Sequence, residues 1–194
     1  MSGSTWPPDA DVPAGAARTR AAGEPVQAAV LAPLFLGERG EPHLVLTRRR
    51  ADLRRHAGEI SFPGGRRDPD DGDLAVTALR EAEEEIGLPR AKVSLLGELP
   101  EVSTFATGYT IHPYVGEIPA GLAWSLSPRE VDAVLELPLE TVRASRTRTQ
   151  MERRGFTFET DAYIVGEHLI WGATARIIEL LLERVAPGGA LALA

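Results

Sequence analysis

Between Arg80 and Leu88 the chain reads REAEEEIGL, which puts four glutamates into nine residues. Few local structures accommodate such a run. Ala75, Leu79, Ala82 and Ile86 recur at spacings of four, three and four, the period of an amphipathic helix. A helix is therefore expected from about 73 to 87, with Asp73 as N-cap and Gly87 as the C-terminal stop. On that wheel Glu81, Glu84 and Glu85 stand at i, i+3 and i+4, grouped away from the apolar stripe. Like charges at those spacings repel by a few tenths of a kcal/mol per pair. A solvated face accounts for most acidic runs, and Glu83, which points elsewhere, is assigned to one. For the other three glutamates these nine residues alone leave open a solvated face or a compensating cation, and the neighbouring sequence decides between them.

The rest of the composition narrows the choice. A chain of 194 residues, 43% hydrophobic and 25% charged, fits one globular domain with a real core. It has no cysteine, so disulfides and thiolate metal sites are excluded. The longest apolar stretch, AAVLAPLFLG, is too short to span a bilayer. The N-terminus lacks a basic region followed by an apolar block, and a cytoplasmic protein without a membrane partner is expected. A net charge of −7 argues against a nucleic-acid partner. Seven of the 21 basic residues nevertheless fall between Arg48 and Arg67, beside the acidic helix.

Along the chain, residues 1–24 carry no apolar period and read as an N-terminal arm. PVQAAVLAPLFL, the turn GERGEP and HLVLTRR form an expected hairpin. GEISFPGG reads as a short strand ending in a glycine turn. After the acidic helix come the strands KVSLLGEL, YTIHPYVGEI and EVDAVLELPL, then a hairpin through TQMERRGFTFETDAYIV. A second amphipathic helix, ATARIIELLLERVA, carries Ile177, Leu180, Leu181 and Val185 on one face. Residues 188–194 are a tail. Mixed helices and antiparallel hairpins disfavour a Rossmann-type sheet, and FPGGRRDPDDG matches neither a dinucleotide-binding nor a P-loop spacing.

Oxygen ligands beside a glycine turn, without cysteine and with few histidines, suit a hard cation such as Mg²⁺ or Mn²⁺. Such ions use one or two carboxylates and share the rest of their shell with water and substrate phosphates. Arg80, at i, i+4 from Glu84, can hold a carboxylate in place.

GGRRDPDDGDLAVTALREAEEEIGL resembles the Nudix box, G-x5-E-x7-R-E-U-x-E-E-x-G-U with U a bulky apolar residue. Arg80, Glu81, Ala82, Glu84, Glu85, Gly87 and Leu88 match its second half. The first half departs: one inserted residue restores Gly65 and places Asp71 near the glutamate position. Upstream, VLTRRRADLRRHAGEISFPGG resembles the segment L-L-T-x-R … R … G … F-P-G-G of the family's coenzyme A pyrophosphatase branch. Leu46, Thr47, Arg48, Arg54, Gly58 and Phe62 to Gly65 are matched to it, and the resemblance covers nearly all of residues 25–187.

The resemblance implies an α/β fold, a Nudix-type α/β/α sandwich with a mixed β-sheet, as one domain over 25–187. It implies metal-dependent hydrolysis of the coenzyme A diphosphate to 4′-phosphopantetheine and adenosine 3′,5′-bisphosphate. The alternative is another nucleoside diphosphate derivative, such as ADP-ribose or a dinucleotide. Divalent ions suit this chemistry because they neutralise phosphoryl oxygens and activate water.

Glu81, Glu84, Glu85 and the Gly65 carbonyl are the implied metal ligands. The base stays open among Glu81, Glu84 and Glu130, the last resembling the family's later loop acid. Arg48 and Arg54 are the candidates for phosphate contacts, where a guanidinium fork matches phosphate oxygens. Nothing in the sequence decides the oligomeric state.

Overall fold

The computed structural model describes residues 25–52, 58–104, 108–153 and 155–185. The expected hairpin forms: β1 (Val26–Leu36) and β2 (Pro42–Arg49) pair antiparallel with Leu34 opposite Leu44. β1 is apolar along most of its length because both of its faces are covered. Ala29 and Leu31 enter one core cluster, Ala32 and Leu34 another on the opposite side.

β3 (Ile60–Ser61) follows, and then the first correction. Gly64 and Gly65, expected to make a turn, lie in a strand, β4 (Gly64–Arg66), paired antiparallel with β1. Neither has a positive φ. Glycine is needed there for close approach: a Cβ on Gly64 would lie 2.6 Å from Val30 Cα.

α1 (Leu74–Ile86) has the expected ends. The Asp73 carboxylate accepts from the Val76 N–H at 2.8 Å, and Gly87, at φ 68°, donates its N–H to the Glu83 carbonyl at 3.0 Å. After it come a 3-10 turn (Arg90–Lys92), β5 (Ser94–Glu98), β6 (Val102–Thr104) and β7 (Tyr109–Glu117). β7 runs parallel to β1, from Val26 opposite Tyr109 to Leu34 opposite Glu117, and makes the sheet mixed. β8 (Val131–Pro138) pairs with β2. α2 (Leu139–Ala144), β9 (Arg146–Arg153), β10 (Phe156–Val165), β11 (His168–Trp171) and α3 (Gly172–Arg184) complete the order. The β9–β10 hairpin was legible in sequence; β6, β11 and α2 are too short to display a period.

The result is an α/β/α sandwich. α1 lies on one face of the central sheet, against Ala29, Leu31 and Val45. On the other face lies α3, where Ile177, Leu180, Leu181 and Val185 are buried as expected. The buried line of α1, however, is turned from the expected stripe. It runs through Thr77, Ala78, Ala82, Glu85 and Ile86, with Ala75 and Leu79 only half-buried. At about 100° per residue, Glu85 falls only about 20° from Ala78. The three glutamates therefore do not share one open face. Their side chains are 16% exposed for Glu81, 59% for Glu84 and 5% for Glu85.

Candidate active site

The site is organised around one arginine. Arg80 donates from Nε and Nη2 to the two oxygens of Asp71, each at 3.0 Å, a bidentate clamp. Its Nη1 reaches Glu81 at 3.0 Å and Glu84 at 3.1 Å, and its Nη2 also donates to the Arg66 carbonyl. Asp71 is buried and further accepts from the Thr77 hydroxyl at 2.8 Å and the Asp68 N–H at 2.9 Å. The Arg80 guanidinium, helped by those donors, holds the Asp71 carboxyl far below the usual carboxylate range. Asp71, whose role the shifted first half of the motif left open, anchors Arg80 and the loop before α1.

β4 supplies the opposite wall. A Cβ on Gly65 would overlap the Glu81 carboxylate, so the bare glycine makes the notch in which Glu81 lies. The neighbouring Gly64 N–H donates to Glu85 at 3.3 Å. Burial first, then the nearby charges of Glu130 and Glu81, push the Glu85 carboxyl up to about 8, against the opposing pull of Arg49. Burial likewise raises Glu81, helped by the charges of Glu84 and Glu130 and opposed by Arg80.

Glu130 comes from a distant loop that docks on the C-terminal end of α1. The Ser125 and Ser127 N–H groups donate to the Ile86 and Glu85 carbonyls at 3.0 and 2.8 Å, satisfying orphan acceptors of the last turn. The Glu130 carbonyl accepts from the Arg50 N–H, and Arg50 also donates to the Pro128 carbonyl at 2.7 Å. Four of the expected residues, Gly65, Glu81, Glu85 and Glu130, are thereby brought into one neighbourhood, with Glu84 at its exposed rim.

The arginines divide differently from the sequence expectation. Arg54 lies outside the described residues. Arg48 is bound to Asp132 at 2.7 Å and approaches Glu167 at 3.9 Å, on the wall of a separate cavity of about 430 Å³ shared with His168 and Trp171. The pairing of β2 with β8 is bulged between Arg48 and Arg49, opposite Ala133 and Val131, so Asp132 is the extra residue. The next side chain, Arg49, is the one that faces the acids, with Nη1 3.8 Å from Glu85. Arg49 is not among the residues singled out from the sequence. Counting T-x-R strictly from Thr47 reaches Arg49, and that spacing was the available signal.

Among the described residues, no three acidic or histidine side chains are already arranged as a metal cage. Arg80 draws Glu81 and Glu84 toward itself, while Glu85 is tied to the Gly64 N–H. The donor set still fits a hard divalent ion. It is all oxygen, and burial first, with neighbouring carboxylates behind it, disfavours the ionised forms of Glu81 and Glu85, a cost that a bound cation would offset.

A mixed-sheet sandwich that sets Glu81 and Glu85 of a helix against a glycine-notched strand offers oxygen donors of the kind that hold a divalent ion in phosphoryl chemistry. The NUDIX domain family matches residues 25–158, and the chain belongs to that family. The Nudix hydrolase NudL of Photorhabdus laumondii, described as uncharacterized, is 43% identical over 160 residues, 81% of this chain and 84% of that protein. NudL of Yersinia pestis, described likewise, is 42% identical over 82% of this chain and 79% of its own. Among solved structures, a MutT/nudix family protein from Enterococcus faecalis superposes with a TM-score of 0.56 at 13% identity, covering 86% of this chain and 64% of that one. The Nudix hydrolase RenU of M. smegmatis gives 0.53 at 21%, covering 63% and 76%. The chain is thus a Nudix hydrolase, of a family that acts on nucleoside diphosphate derivatives and generally uses divalent ions such as Mg²⁺ or Mn²⁺.

Proposed function

We propose that this protein hydrolyses the diphosphate of coenzyme A, or of its derivatives, to 4′-phosphopantetheine and adenosine 3′,5′-bisphosphate, with Mg²⁺ or Mn²⁺. The observation that carries the site is Glu81 lying in the Gly65 notch with Glu85 on the adjoining Gly64 N–H, both near enough to Glu130 to feel its charge. Support for coenzyme A comes from the segment Leu46 to Gly65, which resembles that branch of the family. A chain without cysteine fits a reducing cytoplasm.

In this proposal Glu81, Glu84, Glu85 and the Gly65 carbonyl hold the ion. Bound there, it would neutralise phosphoryl oxygens and activate water. Arg80 keeps Glu81 and Glu84 ordered through its clamp on Asp71. Glu130, delivered by a loop rather than by α1, is one base candidate; Glu81 and Glu84 serve if they are not fully engaged by the ion. A base in this position typically contributes about 10²–10⁴-fold. Arg54 is proposed to contact phosphate. Arg48 would do so only for a substrate group that enters the cavity it shares with His168 and releases it from Asp132.

The test is hydrolysis of coenzyme A with Mg²⁺ or Mn²⁺, products resolved by chromatography, for wild type and Glu85→Gln. Metal-dependent release of adenosine 3′,5′-bisphosphate is expected, reduced by about 10³-fold in the variant, the scale of a lost catalytic ion. Hydrolysis only of ADP-ribose or a dinucleotide would remove coenzyme A as substrate and leave the site intact. Full activity in Glu85→Gln would overturn the site.

A further inference from the structure

We infer that Arg49 is an exchanging counter-ion: it neutralises Glu85 when no divalent ion is bound, and turns to the substrate diphosphate once an ion takes Glu85. The inference rests on the metal site proposed above and assigns a positioning and binding role to a side chain outside that set.

Three features of the structure lead to it. First, Arg49 Nε is the one buried side-chain nitrogen or oxygen without a hydrogen-bond partner among the described residues. A buried N–H left unsatisfied is expensive, and such orphans call for an explanation. Second, the guanidinium approaches Glu85 at 3.8 Å, beyond hydrogen-bonding range. The pair is attracted by charge without being locked by geometry. Third, the bulge that places Asp132 opposite the Arg48–Arg49 step divides the two arginines. Arg48 is satisfied by Asp132, while Arg49 points at the acids with hydrogen-bonding capacity in reserve.

A purely structural arginine would have used its planar fork on Glu85, as Arg80 does on Asp71 with two bonds of 3.0 Å. The contrast between the two arginines of one site is informative. Arg80 is fixed, with its hydrogen bonds spread over Asp71, Glu81, Glu84 and a carbonyl. Arg49 is held loosely against the most buried glutamate. With the charge of Glu85 engaged by a divalent ion, the attraction that keeps Arg49 there would fall, and its fork would be free to meet diphosphate oxygens of the proposed substrate. A guanidinium with an unfilled Nε–H matches those oxygens bidentately.

The two roles give effects of opposite sign. Removing the arginine removes a cation that competes with the metal for Glu85, and also removes a donor to the diphosphate. The experiment compares wild type, Arg49→Gln, Arg49→Lys and Glu85→Gln at one fixed alkaline pH. Mn²⁺ binding is followed by the electron paramagnetic resonance of the free ion, then the non-hydrolysable methylenediphosphonate is titrated calorimetrically into the Mn²⁺-loaded proteins. Thermal unfolding confirms that each variant is folded.

In Arg49→Gln, Mn²⁺ binding is expected to be several-fold tighter than in wild type. Methylenediphosphonate should bind roughly ten- to hundredfold more weakly, the scale of charge-assisted hydrogen bonds. Arg49→Lys keeps the charge and loses the fork, so it should leave Mn²⁺ binding near wild type and still weaken the diphosphonate. Weaker Mn²⁺ binding in Arg49→Gln would mean that Arg49 only supports Glu85, and unchanged diphosphonate affinity would remove the substrate role; either overturns the inference. Equal Mn²⁺ binding by wild type and Glu85→Gln would instead overturn the metal site itself.

Discussion

Glu85 carries the largest electrostatic conflict among the site's acids. Its carboxyl, pushed up to about 8 by burial and by Glu130 and Glu81, compares with about 4.3 in an unfolded chain. The native state therefore binds a proton more tightly than the unfolded state does. Stability from this group is full below the unfolded value and is lost as pH rises toward 8. In a chelator, urea midpoints of the wild type should fall across that window by an equivalent of a few kcal/mol. Glu85→Gln should flatten the fall, making an inactive variant the more stable one at pH near 8. Asp71 has the opposite sign. Its lowered value gives stability that is present above the unfolded carboxylate range and lost in acid. Asp71→Asn leaves Arg80 without its clamp and should cost about 3 kcal/mol at neutral pH, read by urea unfolding. Activity should fall with it, because Glu81 and Glu84 lose their ordered partner.

At the scale of elements, the strand β4 separates two glycine requirements that look alike in sequence. Gly64 faces the backbone of β1, with Val30 Cα 2.6 Å from where a Cβ would stand. Gly65 faces the movable carboxylate of Glu81. Gly64→Ala should therefore lower stability by roughly 2 kcal/mol or more, since backbone must shift to admit the methyl. Gly65→Ala should leave the unfolding midpoint close to wild type and remove activity by displacing Glu81. Unfolding curves and hydrolysis rates on the same preparations check both. α1 itself was legible in its caps: Asp73 and Gly87 do locally what their residue types predict. Its facing was not. The expected stripe through Ala75 and Leu79 came from spacing alone. Which side meets β1 was decided by packing of Ala78, Ala82 and Ile86 on Ala29 and Leu31, and that choice buried Glu85. Likewise Arg48 and Arg49 are adjacent letters, and only the bulge with β8 decides which one meets the acids.

At the scale of the molecule, the proposed site is assembled from β2, β4, α1 and the loop before β8, so binding of an ion there would be coupled to folding. An ion that binds only the native state stabilises it by about 2.7 kcal/mol at a free concentration of about 100 times its Kd. Mn²⁺ should raise the unfolding midpoint of wild type in this way and leave that of Glu85→Gln nearly unchanged, as differential scanning calorimetry would record.

The sequence by itself determined what short-range chemistry determines. The period and caps of α1, the first hairpin, the later β9–β10 hairpin and the apolar face of α3 each follow from residues within a few positions of one another. The Arg-Glu-Ala-x-Glu-Glu run likewise indicated the kind of chemistry through its resemblance to the Nudix box, since crowded acids alone are most often a solvated face. Tertiary structure decided what depends on residues far apart in the chain. It laid β7 parallel to β1, set Gly64 and Gly65 into a strand, and brought Asp71 under Arg80. It also carried Glu130 to the end of α1 and turned Arg49 rather than Arg48 toward Glu85. Burial and charge proximity are properties of the closed sandwich, and they become defined only when segments distant in sequence share one core.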